Sequence, residues 1–453
     1  MTAQGTAGTP VPVAAPAAAR RTVTAPGTGT PPVGDGLQPP DAASRERSAV
    51  PTINDTLWQQ AQRLGAAVRR RPWWLQITLI YLAARFVSYC IFEAVSLHQG
   101  ASPWGPAHPD YLHFVGIWDS TWYKGIFDNG YPQTIPRDAA GVAQQNPWAF
   151  FPLYPLLVRG LSAVTGLGWL VLAPTVSLLA GLGAALVIYR LFRRFASVAT
   201  AMWGVVFFVT FPISPVLQVP YAEALSTLLL ASALYLLVRQ RYLWAVPVVL
   251  LMCLSRPAGV PFAAVVLVHL LLRLFRRKTE PVRRPELLRG MVLLLVSVLS
   301  AVAWPLIAWA ATGEMKAYTD TETAWRGSSL VLIAPWFDTG RQLFGPVLGL
   351  VAPVILVLLF ALFINSRAVR TIGTDLQLWC VAYFGYIIAV LQPQTSTFRM
   401  LLPLFPLALA AAVVSRSRAY RVTVVALFIL LQIVWVTWLW AWAQLPGGGD
   451  YPP

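Results

Sequence analysis

The chain has 453 residues, of which 57% are hydrophobic and only 11% are charged, against about 25% charged residues in an average soluble domain. Its mean hydropathy is +0.60. Apolar residues recur in runs of roughly 18 to 25, the length that crosses a hydrocarbon core about 30 Å thick. These values exclude a soluble globular domain and predict an all-α, polytopic integral membrane protein. The net charge of +16 comes from arginines between apolar runs, which are typical of topology signals and not of nucleic-acid binding.

The first part of the chain is rich in Ala, Pro, Thr and Gly and has almost no bulky apolar side chains. Such a segment cannot bury a core, so residues 1–56 are predicted to be a disordered cytoplasmic tail. No apolar segment follows the first arginines, and we therefore expect no signal peptide. The basic run Arg69–Arg71 precedes the first apolar run and predicts a cytoplasmic amino terminus by the positive-inside rule.

The first predicted span runs from about Trp73 to Val95, and ten further apolar runs follow it. Together they predict about eleven transmembrane helices in a membrane domain of residues 57–445. Basic clusters between the runs are expected on the cytoplasmic side. The ten later runs lie near residues 168–189, 197–213, 221–238, 242–255, 258–274, 288–311, 342–363, 376–391, 400–414 and 422–441.

Residues 97–165 are predicted to form a large first extracytoplasmic loop that carries amphipathic helices. An odd number of crossings must separate this loop from the basic cluster at Arg190–Arg194. The apolar stretch 148–165 is therefore predicted not to span, and an amphipathic helix on the outer surface is the alternative. Residues 446–453 would then form a short extracytoplasmic tail.

The cysteines and histidines give no sign of a metal site or a disulfide. Cys90, Cys253 and Cys380 all lie in apolar segments, where single cysteines are usually small core residues. His108 and His113 lack the spacing of metal ligands. We therefore predict no metal and no cofactor.

The first loop contains the stretch WDSTWYKGIFDNGYPQTIPRDAAGVAQQNPWAFFPLYP, residues 118–155. Asp119 follows Trp118 and precedes Trp122 and Tyr123. Aromatic residues with a polar edge suit ligands at a membrane surface, and a carboxylate among them is a candidate general base. The alternative is that Asp119 is the N-cap of a short surface helix.

Other polar residues are expected at the same outer face. Tyr221 and Glu223 lie in VPYAEAL, Arg256 lies in the turn SRPAG, and Arg399 lies between the ninth and tenth spans. Glu223 could instead be a first-turn carboxylate stabilised by the helix dipole, and the two arginines could extend to the interface. Arg85, in mid-span, could form an ion pair with another helix or contact a substrate phosphate.

This set of residues suits glycosyl transfer from a polyprenyl-phosphate sugar. A carboxylate can take the proton of an acceptor hydroxyl as it attacks the anomeric carbon, and an arginine can neutralise the leaving phosphate. The sequence has no GxGxxG after a strand and no P-loop. A lipid-linked donor would not require a soluble nucleotide-binding domain.

Five motifs occur in the order WDSTWY, DNGYP, FFPLYPLL, PYAEAL and SRPAG, between about Phe86 and Gly259. In this order they resemble the GPI mannosyltransferase II (PIG-V-like) family of the GT-C superfamily of membrane glycosyltransferases. The Pro/Ala-rich segment 1–56, predicted to be disordered, and the high ratio of Arg to Lys are similar to those of a bacterial, actinobacterial-type member. The rest of the chain matches only in hydropathy.

The resemblance implies inverting transfer of mannose from polyprenyl-phosphate-mannose to an acceptor hydroxyl on the extracytoplasmic face of the plasma membrane. It implies that Asp119 is the base and that Tyr221, Glu223 and Arg256 line the site. The partners would be the lipid-linked donor, membrane lipids, and a glycolipid, glycan or protein acceptor. Arg399 is a candidate phosphate contact by position alone. Many members have a histidine where Trp122 and its neighbour stand, so acceptor recognition is expected to differ.

Two other functions are compatible with a polytopic chain. A lipid or sugar transporter or flippase would need discontinuous helices around a midplane site, often with inverted repeats, and the sequence shows no repeat. A non-catalytic scaffold of envelope assembly would retain the motifs for packing only, and it would tolerate Asp119→Asn.

Overall fold

A computed structural model describes residues 70–326, 331–445 and 453. The predicted tail 1–56 and nearly all of 446–453 lie outside these residues. In chain order the α-helices are α1 (Trp73–Ser96), α2 (Tyr111–Val115), α3 (Asp119–Asn129), α4 (Leu153–Thr165), α5 (Trp169–Phe192), α6 (Val198–Thr210), α7 (Glu223–Val238), α8 (Tyr242–Cys253), α9 (Gly259–Phe275), α10 (Arg284–Thr312), α11 (Ala317–Arg326), α12 (Ala334–Ile364), α13 (Arg367–Arg370), α14 (Thr374–Val390), α15 (Pro406–Val414) and α16 (Arg418–Trp435). Over the described ranges, bridges outside helices join only Ser102 to Gly105 and Arg137 to Ala143. The fold is therefore all-α, as predicted.

Six helices are long and apolar enough to cross a membrane. A seventh crossing results if the 3₁₀ segment Thr395–Leu404 and α15, which meet at a bend of 76°, count as one span. The six are Trp73–Ser96, Trp169–Phe192, Gly259–Lys278, Arg284–Thr312, Ala334–Ile364 and Arg418–Trp440. The chain is therefore a multi-pass membrane protein.

Each of the eleven predicted spans coincides with a helix or with the bent pair. Four of these helices, α6, α7, α8 and α14, have only 13, 16, 12 and 17 residues. A straight crossing of a 30 Å core needs about 20 residues. The count of eleven therefore stays a prediction, although the positions of the helices agree with it.

The apolar stretch 148–165 contains one short helix, α4, of 13 residues. At 1.5 Å per residue it is about 20 Å long, which is shorter than a hydrocarbon core. Tyr154 and Val158 are buried against the protein, whereas Leu156 and Val164 are exposed. The helix thus has an exposed apolar face, and its position on the outer membrane surface stays a prediction.

Basic residues and the predicted site residues lie at opposite ends of the same helices. Glu223 begins α7 and Arg239 caps its other end, while Arg241 precedes α8 and Arg256 follows it. Arg190 likewise lies in the last turn of α5. The arginine-rich helix ends and the predicted site residues therefore lie at opposite ends of α7 and α8, and the extracytoplasmic location of the site stays a prediction.

Arg85 in α1 is buried and contacts no carboxylate among the described residues. It donates to the carbonyl of Val209 at 2.7 Å, to Oγ of Ser214 at 3.0 Å and to the Ser214 carbonyl. The last carbonyls of a helix lack intrahelical partners, and Arg85 supplies donors where α6 ends. The ion pair considered from the sequence is not observed among the described residues, because the arginine stabilises a helix end instead; a contact to a substrate phosphate stays a hypothesis.

Candidate active site

A cavity of about 890 Å³ lies between the first loop and the ends of α7, α8 and α14. This volume is within the usual range for a ligand site, about 300–1,000 Å³. Seven of the eight predicted site residues line it: Trp118, Asp119, Trp122, Tyr123, Glu223, Arg256 and Arg399. The structure thus brings together side chains that lie as far apart in the sequence as Trp118 and Arg399.

The charged residues form one chain of contacts at the cavity wall. Nη1 of Arg399 lies 2.5 Å from Oδ2 of Asp119 and 3.3 Å from Oε1 of Glu223. The same Oε1 atom accepts a hydrogen bond from Nη2 of Arg256. Two guanidinium groups and two carboxylates therefore alternate in the order Asp119, Arg399, Glu223, Arg256, and their formal charges balance.

This ion cluster is largely shielded from solvent. The exposed fraction of the side chain is 6% for Glu223, 7% for Arg399, 16% for Asp119 and 20% for Arg256. Burying a charge is costly unless it is paired and hydrogen-bonded. The arginines do not extend to the interface, as the alternative would require, but face the two carboxylates at the cavity.

The cluster retains buried hydrogen-bonding atoms that no described residue satisfies. They are the Nε atoms of Arg256 and Arg399 and the Oε2 atom of Glu223. A guanidinium has five N–H donors in a fixed planar arrangement that matches the oxygens of a phosphate. Arg256 and Arg399 both line the cavity, so their guanidinium groups could bind an anionic ligand there.

Asp119 is positioned by an unusual backbone conformation. It is the first residue of α3, so the N-cap position belongs to Trp118 and not to Asp119. Trp118 has φ 60°, a region that bulky residues rarely adopt and that costs of order 1–3 kcal/mol. Its indole Nε1 donates to the Trp440 carbonyl at 2.7 Å, which holds the turn in place. The carboxylate of Asp119 is thereby free to reach Arg399.

Tyr221 is the one predicted site residue that does not line the cavity. It is fully buried, and its hydroxyl accepts a hydrogen bond from the backbone N–H of Asp119 at 3.1 Å. The guanidinium carbon of Arg399 lies 5.2 Å from the centre of its ring, within the range of a cation–π contact. Tyr221 therefore supports both members of the Asp119–Arg399 pair from behind.

Trp440 packs behind Tyr221 and Trp118, a contact that the sequence does not indicate. Its side chain is fully buried, and its ring lies 5.4 Å from that of Tyr221. Its Nε1 donates to the Phe114 carbonyl at 3.0 Å. Only contacts between distant segments distinguish it from a lipid-facing tryptophan, so no local signal could have identified it.

The SRPAG turn is held by close packing of the following helix. A Cβ atom on Gly259 would lie 2.7 Å from the Cα atom of Ala301 in α10, so only glycine permits this approach. The turn thereby places Arg256 beside Glu223, and its Nη1 also lies 3.9 Å from the sulfur of Met400. The motif thus has a structural basis as well as a charged side chain.

The opposite wall comes from α11 and α14. Tyr318, Glu322, Trp325 and Arg326 of α11 line the cavity with Tyr383 of α14. None of the five is among the site residues predicted from the sequence. Burial raises the pKa of Glu322 above its ordinary value.

Among the described residues, no three His, Cys, Asp or Glu side chains lie together as metal ligands would. The exposed His113 ring instead contacts Oδ2 of Asp110 at 2.8 Å. Asp128 of the DNGYP motif lies in α3 and pairs with Lys124 at 2.5 Å. Neither contact involves the cavity.

No protein-family model and no curated protein matches this chain. Among solved structures, it is similar to ArnT from Cupriavidus metallidurans bound to undecaprenyl phosphate, with 15% identity over 74% of this chain and a TM-score of 0.42. It is also similar to the oligosaccharyltransferase AglB from Archaeoglobus fulgidus in complex with an inhibitory peptide and a dolichol-phosphate, with 12% identity over 81% of this chain and a TM-score of 0.44. The matches cover 59% and 56% of those chains, less than two thirds of their length.

Proposed function

We propose that this protein is a GT-C-type glycosyltransferase that transfers a sugar, with inversion, from a polyprenyl-phosphate donor to an acceptor hydroxyl. The observation that carries the proposal is the buried cluster of Asp119, Arg399, Glu223 and Arg256 at the wall of one cavity. It combines a carboxylate that can accept a proton with two arginines that can bind a phosphate. The motif resemblance adds mannose as the sugar and the extracytoplasmic face as the location.

The cavity also has an apolar side suited to a lipid-linked donor. Leu230 of α7, Ile387 and Val390 of α14, and Leu402 line it together with the charged residues. A prenyl chain is stabilised by apolar surface, whereas its phosphate needs cationic donors. The proximity of both surfaces supports a donor whose phosphate lies at the arginines and whose tail lies along the helices.

In the proposed reaction, the acceptor hydroxyl attacks the anomeric carbon while its proton passes to the carboxylate of Asp119. The bond between that carbon and the phosphate oxygen breaks, and polyprenyl phosphate leaves with the electron pair. Arg256 and Arg399 stabilise the negative charge that develops on the phosphate. A single displacement of this kind inverts the configuration at the anomeric carbon.

Because Asp119 is paired with Arg399, donor binding would be needed to free the carboxylate. The Oδ2 atom of Asp119 is occupied by the guanidinium of Arg399, so it is not free to accept the proton of an acceptor hydroxyl. The donor phosphate would compete for Arg399 and release the carboxylate next to the acceptor. Glu223 would keep both arginines in place during this exchange, since it contacts each of them.

Transfer of radiolabel from polyprenyl-phosphate-mannose tests this function in membranes that contain wild type, Asp119→Asn or Asp128→Asn. We expect labelled lipid- or protein-bound product with wild type and with Asp128→Asn, whose residue lies outside the cavity, and none with Asp119→Asn. Donors that carry glucose or a pentose test the choice of sugar. Folded wild type that uses none of these donors would favour a transporter or a scaffold instead.

A further inference from the structure

The cavity has a second wall that the reaction above does not use. It is formed by Trp122 and Phe150 of the first loop and by Glu322 and Trp325 of α11. The Arg256–Glu223 pair and Arg399 lie on the helix ends, whereas this wall belongs to the segments between spans. We call it the aromatic wall.

The three rings of the aromatic wall contact one another. The rings of Trp122 and Phe150 are stacked, with centroids 5.9 Å apart and 9° between their planes. Trp325 meets Trp122 edge to face at 5.1 Å and Phe150 at 5.4 Å. Trp122 and Trp325 are only half-buried, so parts of both rings remain open to the cavity.

The aromatic wall lies beside the proposed base. Trp122 follows Asp119 by three residues in α3, and residues three apart lie on the same face of a helix. An acceptor whose hydroxyl reaches Asp119 would therefore meet this wall. The donor phosphate is expected at Arg256 and Arg399. On the aromatic wall, the charge of Glu322 is offset by Arg326, which also lines the cavity.

The first loop fixes the position of α11. Asn146 Nδ2 donates to Oγ1 of Thr321 at 2.9 Å, and Nε1 of Trp325 donates to the Asn146 carbonyl at 3.3 Å. Arg137 contacts Glu314 at 2.5 Å and Asp320 at 2.9 Å. The aromatic wall is thus held in place before any ligand binds, which reduces the ordering that binding requires.

The chemistry of the aromatic wall fits a neutral ring that carries several hydroxyl groups. Flat aromatic faces pack against the C–H face of such a ring, and the Glu322 carboxylate accepts hydrogen bonds from its hydroxyls. Extended polypeptides are usually bound through backbone hydrogen bonds along a strand or groove. In the described residues that line the cavity there is no strand to provide them.

We propose that Trp122, Trp325 and Glu322 form the acceptor subsite and that the acceptor is a polyhydroxylated ring, either a glycoside or a cyclitol. This inference rests on the proposed glycosyl transfer and specifies its second substrate. Trp122 and Trp325 hold the ring by its apolar face. Glu322 orients the ring so that one hydroxyl faces Asp119.

The test measures label transfer from polyprenyl-phosphate-mannose to four separate probes: octyl mannoside, octyl glucoside, myo-inositol and a serine-containing peptide. We expect transfer to a glycoside or to inositol, and which of the two accepts label identifies the source of the ring. Trp325→Ala and Glu322→Gln are then expected to raise the KM for that probe about tenfold and to leave the KM for the donor within twofold. Trp244→Ala and Glu280→Gln, whose residues lie outside the cavity, are the matched controls.

The outcomes separate this inference from the proposed function. Label that reaches only the peptide, or variants that change the KM for the donor and not for the acceptor, would overturn the acceptor subsite alone. Donor hydrolysis without transfer to any ring would do the same. No release of label by folded wild type would overturn the proposed function and the acceptor subsite with it.

Discussion

Arg137 and Arg399 each contact two carboxylates, but their surroundings differ. Arg137, in the first loop, lies 2.5 Å from Glu314 and 2.9 Å from Asp320, and its side chain is 33% exposed. Arg399 lies 2.5 Å from Asp119 and 3.3 Å from Glu223, and its side chain is 7% exposed. The same pattern of charges therefore occurs once at the surface and once at the wall of the cavity.

The two networks differ in what they can contribute to stability and to chemistry. Exposed ion pairs are screened by water and salt and contribute about 0.2–1 kcal/mol. A buried cluster carries a large desolvation cost and is weak evidence for stability. Charged groups held at a cavity despite that cost are candidates for chemistry. The network of Arg137 attaches α11 to the first loop, whereas that of Arg399 places charges where a ligand can reach them.

Removal of the carboxylate shared by two buried arginines should give the largest change in stability. Glu223→Gln leaves Arg256 and Arg399 without their common counter-ion, and breaking a buried pair costs about 3–5 kcal/mol. We expect a correspondingly large fall in the free energy of unfolding, measured in detergent. Glu280→Gln is the control, because Glu280 is 53% exposed and its partner Arg273 keeps a second carboxylate, Glu286, at 2.7 Å. Equal losses in the two variants would contradict the distinction between the networks.

Disruption of the surface network should have a much smaller effect. Arg137→Gln removes the contacts to Glu314 and Asp320, and we expect a loss of no more than about 1–2 kcal/mol for the two exposed pairs. Because salt screens exposed charges, the difference from wild type should shrink as the salt concentration rises. A loss of stability as large as that of Glu223→Gln, or one that does not change with salt, would show that the Arg137 network does not behave as a set of exposed ion pairs.

The smallest expected effect concerns the pH dependence of stability. Burial raises the pKa of Glu322 above its ordinary value of 4.5. The folded protein therefore retains a proton that the unfolded chain has released, so stability falls as the pH rises from about 4.5 through the folded pKa. Glu322→Gln should make this decline shallower, as measured by unfolding in detergent between pH 4 and pH 8. An unchanged slope would mean that Glu322 does not titrate in this range.

The sequence predicted the fold class and the positions of the helices, because apolar runs and basic clusters are local signals. It could not determine the lengths of the crossings. α8 has only 12 residues, and a bend of 76° separates the segment that contains Arg399 from α15. Both features depend on packing between helices, which hydropathy does not record.

Most side chains of the candidate site were also predictable, because the motifs place them at the ends of helices. The sequence did not indicate that Asp119 contacts Arg399, since 280 residues separate the two. It gave no sign that Tyr221 supports Asp119 from behind, or that Trp440 anchors the strained Trp118. These contacts arise from the way distant helices meet, and no pattern within one segment encodes them.

The aromatic wall was predictable from the sequence only in part. Trp122 belongs to a motif that the sequence analysis identified, but the approach of α11 to the cavity depends on its contacts with Asn146 and Arg137. The contact between Trp122 and Trp325 joins two loops that are 203 residues apart in the sequence. Such a contact can be identified only from the three-dimensional arrangement of the two loops at the helix ends.

The most direct test of the central claim compares Asp119→Asn with Asp320→Asn. Asp119→Asn removes a negative charge next to Arg399 in the buried cluster, and Asp320→Asn removes one next to Arg137 at the surface. Each of these arginines contacts two carboxylates in the wild type. The measurement is the single-turnover rate of label transfer from polyprenyl-phosphate-mannose, for proteins of equal folded content. If Asp119 is the base, its variant should be slower by about 10²–10⁴-fold, and Asp320→Asn should stay within a few-fold of wild type. An Asp119→Asn rate close to that of wild type would contradict the assignment of this cluster as the reacting centre.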